Sequence, residues 1–152
     1  FRAVTVSGTS MVPTLYGGDK IIVQSVGYQP RRGDVIVVDG YINYGEPIVK
    51  RVIATEGQTV DIDFDAGVVY VDGTALEEPY TREPTWTQEG TEFPLTVPEG
   101  CIFVMGDNRN DSDSTLGPVD TRCVLGRALL LAVPGPTADT EQRDWSRVGI
   151  LN

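Results

Sequence analysis

The sequence predicts an all-β protein. Short runs rich in Val, Ile and Thr alternate with turns marked by Gly, Pro, Asn and Asp, which is typical of strands joined by tight connections. No segment shows convincing helical periodicity, although the tail from Thr137 has room for a turn or two. The 152 residues are enough for one domain, or for one domain with a modest insertion.

The predicted strands follow one another at short intervals. In chain order they are residues 3–6, 20–26, 35–39, 47–54, 59–63, 68–71, 74–76, 93–97, 101–105 and 122–133. Asp72-Gly73 is a strong signal for a two-residue hairpin turn. We expect the carboxylates of the irregular segment 77–90 to form a solvated face, and we expect Trp145, Val148 and Ile150 of the tail to dock back onto the core.

Composition excludes several classes of function. The chain has no histidine, which rules out Ser-His-Asp and Cys-His catalysis and most zinc and non-haem iron sites. A formal net charge of −10 makes nucleic acid a poor electrostatic partner. Cys101 and Cys123 are too few for a metal cage, and two free thiols are favoured over a disulfide between them. We therefore expect no metal and no cofactor, and a general base must be Lys, Asp, Glu or Tyr.

Ser10 is the candidate nucleophile. It follows the predicted strand 3–6, and Pro13 forces regular strand pairing to stop soon after it. A serine at the end of a strand is held rigidly while the turn leaves its hydroxyl uncovered. Ser, Gly and Pro also mark ordinary turns, so this feature alone does not establish a nucleophile.

Lys50 is the candidate base. It lies inside the apolar run 47–54, between Ile48 and Val52 on one face of the predicted strand. A lysine is almost never fully buried unless it is paired, and the alternative is that its stem carries the ammonium out to water. Burial would favour the neutral amine, which can take a proton from a serine.

A further hydroxyl is needed to orient a neutral lysine, because a hydroxyl both donates and accepts hydrogen bonds. Ser112 and Ser114 in the polar turn 105–114 are the two candidates. The constellation predicted from the residues is therefore acyl transfer by Ser10, with Lys50 as base and a second serine beside the lysine.

Three segments in this order resemble the sequence boxes of bacterial type I signal peptidases. They are Gly8-Thr9-Ser10-Met11-Val12-Pro13-Thr14-Leu15, Lys50-Arg51-Val52-Ile53 and Gly106-Asp107-Asn108-Arg109 with its following serines. The terminal Trp145-Ser146-Arg147-Val148-Gly149 is also similar to that family. Three boxes in order are far more specific than any one of them.

The resemblance implies a role for each matching residue. Ser10 is similar to the nucleophile, with its backbone N–H binding the oxyanion, and Lys50 is similar to the general base. Ser112 resembles the serine that hydrogen-bonds the lysine, with Ser114 as the alternative. Asp107, Arg109 and Asp113 match polar residues that hold the site together structurally in that family.

The resemblance also implies the domain organisation. The family has an antiparallel β-sheet catalytic core interrupted by a smaller β insertion, which places the core at 1–56 and 99–152 and the insertion at 57–98. A membrane anchor N-terminal to this chain is implied as well. The catalytic domain would then lie on the extracytoplasmic face of the bacterial cytoplasmic membrane and act on secretory preproteins.

The chain departs from the family pattern at three places. Thr115 stands where an arginine is expected, so we expect Asp113 to lack the ion-pair partner that the family pattern provides. Residues 54–58 differ from the usual Gly-x-Pro-Gly-Asp turn. Position 8 is Gly, where some members carry a serine whose hydroxyl helps to bind the oxyanion.

Substrate recognition is expected to use strand addition. An extended signal peptide would pair between the edge at 4–6 and the edge at 47–49. Its −1 and −3 side chains would enter shallow pockets that admit small residues such as Ala. The expected lining residues are Val4, Val6, Met11, Leu15, Ile48 and Val49.

Two other interpretations of the sequence remain open at this stage. One is a different Ser-Lys protease of the self-cleaving repressor type, which acts on its own chain in the cytoplasm. The other is an inactive β-rich binding or scaffold homologue that keeps the boxes for folding. Composition does not separate these interpretations from a signal peptidase.

Overall fold

The computed structural model describes residues 1–39, 47–88, 90–111, 115–136 and 143–151, and within them it is built almost entirely from antiparallel strands. The strands are β1 (Arg2–Thr5), β2 (Lys20–Gln24), β3 (Val35–Val38), β4 (Ile48–Thr55), β5 (Thr59–Asp63), β6 (Val68–Val71), β7 (Thr74–Ala75), β8 (Leu95–Thr96), β9 (Cys101–Met105), β10 (Thr115–Asp120), β11 (Val124–Val133) and β12 (Gly149–Ile150). Short 3₁₀ turns occupy Thr121–Cys123 and Trp145–Arg147. The all-β prediction is confirmed.

The larger sheet has the strand order β1-β2-β11-β3-β4-β9-β10, and β12 adds to β11. Its long strand β4 is buried along almost its whole length, as the apolar residues on both of its faces predict. On one side β4 pairs with β3, where Lys50 lies opposite Ile36. On the other side it pairs with β9, from Thr55–Ile102 to Arg51–Met105.

The smaller sheet has the order β7-β6-β5-β8, and all four strands fall inside the segment 57–98. Its apolar residues pack with Ile53, Phe103 and Met105 of the larger sheet in one buried cluster. The hairpin predicted at Asp72-Gly73 is confirmed, because both residues have positive φ and Val71 pairs with Thr74. The division into a catalytic core and an insertion stays a prediction.

Two apolar clusters flank the larger sheet. The first, here called the loop-side cluster, holds residues from the loop after β1 together with inward residues of β2, β3, β4 and β11. Its buried members are Val6, Met11, Leu15, Ile21, Val23, Val35, Val37, Val49, Ala128 and Leu131. The second, the opposite-face cluster, comprises Ile36, Val38, Val52, Ile102, Val104, Val119 and Cys123.

The strand β10 was not predicted from the sequence. Gly117-Pro118 within it predicts a turn, but β10 pairs only with β9 in the described part of the chain and so has a free edge. A proline is tolerated there because its missing N–H can face away from the ladder. The register of the ladder shifts between Thr115 and Gly117.

The expectation for the tail is wrong in its details. Trp145 is 59% exposed, Val148 46% and Ile150 79%, so these side chains do not dock into the core. The tail docks instead through the pairing of β12 with β11 and through Leu151, which packs against the loop-side cluster.

The structure describes both Cys101 and Cys123 and places no disulfide between them. Among the residues with a described position, no helix is long and apolar enough to cross a membrane.

Candidate active site

The loop that joins β1 to β2, residues 7–18, carries Ser10 and is here called the nucleophile loop. Its stem is closed by two backbone hydrogen bonds, from Val6 N–H to the Asp19 carbonyl at 2.8 Å and from Gly18 N–H to the Val6 carbonyl at 2.8 Å. Met11 and Leu15 are buried in the loop-side cluster, and Leu15 N–H donates to the Met11 carbonyl at 3.0 Å. The residue next to Ser10 is thus fixed by packing.

The tip of the nucleophile loop is bound to the turn after β9. The Ser10 carbonyl accepts from Asn108 N–H at 2.9 Å, and the Thr9 carbonyl accepts from the Asn108 side-chain amide at 3.1 Å. The Thr9 hydroxyl donates to Asp111 at 2.7 Å. Ser10 is therefore held by a segment that is distant in sequence, since Thr9 and Asp111 are 102 residues apart.

Ser10 is half-buried. Its backbone N–H makes no hydrogen bond within the segments that the structure describes. A rigid serine with an uncommitted backbone donor is the arrangement that an oxyanion-binding nucleophile requires.

Lys50 is only 3% exposed on β4. Its side chain shares a face of the strand with Ile48 and Val52, which belong to or pack against the opposite-face cluster. The last pair of the β4–β9 ladder is Arg51–Met105, one residue from Lys50 on β4. Asn108, which binds the Ser10 carbonyl, follows Met105 by three residues along the chain.

Arg51 lies on the other face of β4 and is 1% exposed. Its guanidinium donates two hydrogen bonds to Asp107, from Nε at 2.9 Å and from Nη2 at 2.8 Å, and a third to the Gly33 carbonyl at 2.8 Å. The Asp107 carboxylate also accepts the hydroxyl of Thr14 from the nucleophile loop. One buried carboxylate therefore joins β4, the turn after β9 and the nucleophile loop.

Arg109 forms a second buried ion pair, with both oxygens of Glu78. The Glu78 side chain is only 10% exposed, so the expectation that it lies on a solvated face is wrong. Tyr80 donates to Glu78 at 2.9 Å and its ring lies 3.9 Å from the Arg51 guanidinium. Burial, followed by the neighbouring Glu78, raises the pKa of Tyr80 well above its usual range.

The predicted pocket residues divide between the two clusters. Five of them lie together in or against the loop-side cluster: Val4, Val6, Met11, Leu15 and Val49. Ile48 packs against the opposite-face cluster, on the same face of β4 as Lys50. The predicted Ser112, Ser114 and Asp113 lie outside the described residues.

Comparison with known proteins identifies the family. The model of the signal peptidase family, peptidase S26, matches residues 1–133. The chain belongs to the signal peptidase family.

Individual relatives agree with this result. The chain is 40% identical over 138 residues to a probable signal peptidase I-1 of Synechocystis sp., covering 82% of this chain and 67% of that protein. It is 37% identical over 150 residues to signal peptidase I of Bacillus licheniformis, covering 88% and 77%. A crystal structure of a signal peptidase I from Enterococcus faecalis superimposes with a TM-score of 0.53 at 35% identity, covering 66% of this chain and 97% of that one.

Membership of the signal peptidase family makes the chain a serine peptidase, so the prediction of an enzyme is confirmed. Within the described residues, no group of three or more His, Cys, Asp or Glu side chains is placed to hold a metal ion. The roles of individual residues rest on the geometry above and are proposed below.

Several residues of this signal peptidase site were missed by sequence reasoning. Thr14, Glu78 and Tyr80 connect the two buried arginines to their surroundings, and the Asn108 side chain binds the loop beside Ser10. Thr14 and Asn108 lie inside the segments that resemble the family, so their position in the sequence could have indicated a role in the site. Nothing in the local sequence of Glu78 indicates a partner 31 residues away at Arg109.

Proposed function

We propose that this chain is the catalytic part of a signal peptidase that cleaves signal peptides from secretory preproteins, with Ser10 as nucleophile and Lys50 as general base. The observation that carries the proposal is the burial of Lys50 on β4, next to Arg51, which is the last β4 residue paired with β9 before the turn that binds the Ser10 carbonyl through Asn108. In the resemblance to the family, Lys50 is the residue that matches the general base.

A buried lysine suits this role because desolvation penalises the ammonium and so favours the neutral amine. In the proposed reaction Lys50 Nζ takes the proton from Ser10 Oγ as Oγ attacks the scissile carbonyl. The protonated amine then gives this proton to the leaving amino group, which leaves an acyl-enzyme ester. A water molecule, deprotonated by Lys50, hydrolyses the ester and restores both side chains.

We assign stabilisation of the tetrahedral intermediate to the backbone N–H of Ser10. It is free of intramolecular partners in the described segments, and Gly8 supplies no side chain that could act as a second donor. A donor of this kind contributes on the order of 10²–10³ in rate. The hydroxyl that orients Lys50 is assigned to Ser112, with Ser114 as the alternative.

The strand edges support substrate binding by strand addition. In the described part of the chain, β1 pairs with β2 alone, which leaves the outer edge of β1 open. The ladder between β4 and β9 does not extend to Ile48 and Val49. An extended peptide between these two edges would place small side chains against the Val4, Val6, Met11, Leu15 and Val49 group.

Membrane attachment through a segment N-terminal to Phe1, and an extracytoplasmic location, are part of the same proposal. The support is that two relatives named signal peptidase I are longer than the matched region, which covers 67% and 77% of their lengths. The 57–98 insertion and its flanking catalytic core are proposed on the same resemblance, with the small sheet as their structural counterpart.

The proposal is tested by cleavage of a preprotein that ends its signal peptide in Ala-x-Ala. We expect S10A and K50M to lose turnover completely while the fold is kept. The chain offers matched controls, because Ser25 is an exposed serine in the turn after β2 and Lys20 is the other lysine and is exposed. S25A and K20M should cleave at the wild-type rate. Retained cleavage by S10A or K50M rejects the dyad.

A further inference from the structure

The C-terminal segment 143–151 lies beyond the region matched by the family model, which ends at residue 133. It nevertheless contacts the base of the nucleophile loop. Arg147 forms a two-point ion pair with Asp19, with Nη1 at 3.0 Å from Oδ1 and Nη2 bonded to Oδ2. We propose that Arg147 is a positioning residue that holds Ser10 in its reactive geometry through Asp19, an inference that rests on the proposed role of Ser10.

Asp19 is a built receptor for this arginine. It is fully buried, and its carboxylate also accepts from Tyr16 N–H at 2.8 Å and from Gly135 N–H at 2.6 Å. The Arg147 guanidinium lies over the Tyr16 ring, 4.7 Å from its centroid. Asp19 thus holds the backbone of Tyr16, and Arg147 covers its ring.

A continuous set of contacts leads from Tyr16 to Ser10. Leu15, the preceding residue, is fully buried and donates its N–H to the carbonyl of Met11, the neighbour of Ser10. The backbone carbonyl of Asp19 closes the stem of the same loop by accepting a hydrogen bond from Val6 N–H. Removing the cation leaves the Asp19 carboxylate buried without a compensating charge, so the loop must shift to let water reach it.

Two further contacts lie near the Arg147–Asp19 pair, one from Gly135, which precedes the segment in the chain, and one from Leu151 within it. Gly135 approaches the loop so closely that an added Cβ would lie 2.6 Å from the Gly18 carbonyl carbon. Leu151 packs against the loop-side cluster, which contains Met11 and Leu15, and its N–H donates to the Leu129 carbonyl at 2.9 Å. The segment therefore supplies both a charge and an apolar side chain to the nucleophile loop.

The test uses steady-state cleavage of a soluble peptide substrate by R147A and R147K, below the unfolding temperature of each variant. We expect kcat to fall by between about 3-fold and about 100-fold in R147A, since small misplacements of a reacting group have effects up to that size. KM should stay within about twofold of the wild-type value, because the peptide contacts neither Arg147 nor Asp19 in the proposed binding mode. R147K keeps the charge and so protects the fold, but a single ammonium cannot span both carboxylate oxygens, and its kcat should fall too.

The matched control is R143A. Arg143 lies in the same segment and donates to the Pro134 carbonyl at 2.6 Å without touching Asp19, so kcat should be unchanged. Folded R147A and R147K with wild-type kcat overturn the inference, and so does an R143A loss equal to that of R147A. S10A measured alongside separates the two proposals: activity in S10A rejects the nucleophile, whereas an inactive S10A with unaffected Arg147 variants rejects only the positioning role.

Discussion

At the scale of one residue, the burial of Lys50 accounts for its proposed role as general base. Two of its neighbours on the same face of β4 are apolar, and the side chain is 3% exposed. The adjacent Arg51 is equally buried but meets the carboxylate of Asp107. The two neighbouring basic residues thus lie in different surroundings on opposite faces of one strand, and we assign catalysis to Lys50 and structural support to Arg51.

The proposed base predicts the pH dependence of the reaction. Desolvation lowers the pKa of a buried lysine, so the neutral, reactive form of Lys50 is present above that pKa and is lost as the pH falls through it. We expect kcat to decrease toward low pH with a slope of about one in log units, as for a single ionisation. The measurement is kcat from pH 5 to 9 within the range where the protein stays folded. A rate that is constant down to pH 5 contradicts lysine as the base.

The Arg51–Asp107 pair predicts a large loss of stability when one partner is removed. R51M leaves the buried Asp107 carboxylate without a compensating charge, which should lower the free energy of unfolding by about 3–5 kcal/mol. Urea denaturation measures the change. R122A is the control, because the Arg122 side chain is 90% exposed in its pair with Asp120, and its midpoint should not move. Equal midpoints for R51M and wild type would contradict the structural role.

At the scale of elements, the antiparallel pairing of β2 with β11 depends on Gly126. A Cβ added there would lie 2.4 Å from the Gln24 carbonyl oxygen and 2.7 Å from a Val23 methyl group. Both contacts involve the backbone or a short, rigid side chain in the core. The two strands can therefore pair at this distance only if position 126 has no side chain.

We expect G126A to lower the free energy of unfolding by about 1–3 kcal/mol, as overpacking in a filled core does. The change is measured by urea denaturation. Gly149 in β12 is the matched control, since a Cβ there meets no atom within 4 Å and its φ is not positive. G149A should be neutral, and an equal loss in both variants would contradict the close-approach explanation.

Strands were predictable where local signals agree with tertiary structure. The bounds of β5, β6 and β9 match the sequence prediction, because β-branched runs there end at clear turns. The strand β10 was missed because Gly117-Pro118 has the local chemistry of a turn, and only its place at the edge of the sheet permits it to pair. The Glu78–Arg109 pair could not be predicted from the sequence for a similar reason, because it depends on how two distant segments of the chain pack together.

At the scale of the whole molecule, the proposed binding of the signal peptide between two strand edges predicts selectivity for small residues. A preprotein whose −1 Ala is changed to Phe should not be cleaved, because Met11 and Leu15 are buried in a packed cluster and we expect an aromatic ring not to fit against them. Gel analysis of the processed product measures the effect. Efficient cleavage of the Phe variant, with the Ala substrate as the reference, contradicts the pocket.

The central claim, a buried lysine that is neutral when the enzyme works, is tested most directly by NMR titration of isotope-labelled lysine. Lys20 and Lys50 are the only lysines in the sequence, so a K20R variant leaves Lys50 as the single lysine signal. We predict that Lys50 loses its proton at a clearly lower pH than a fully solvated lysine side chain, whose ordinary pKa is about 10.4. A Lys50 that titrates near that value would contradict the account.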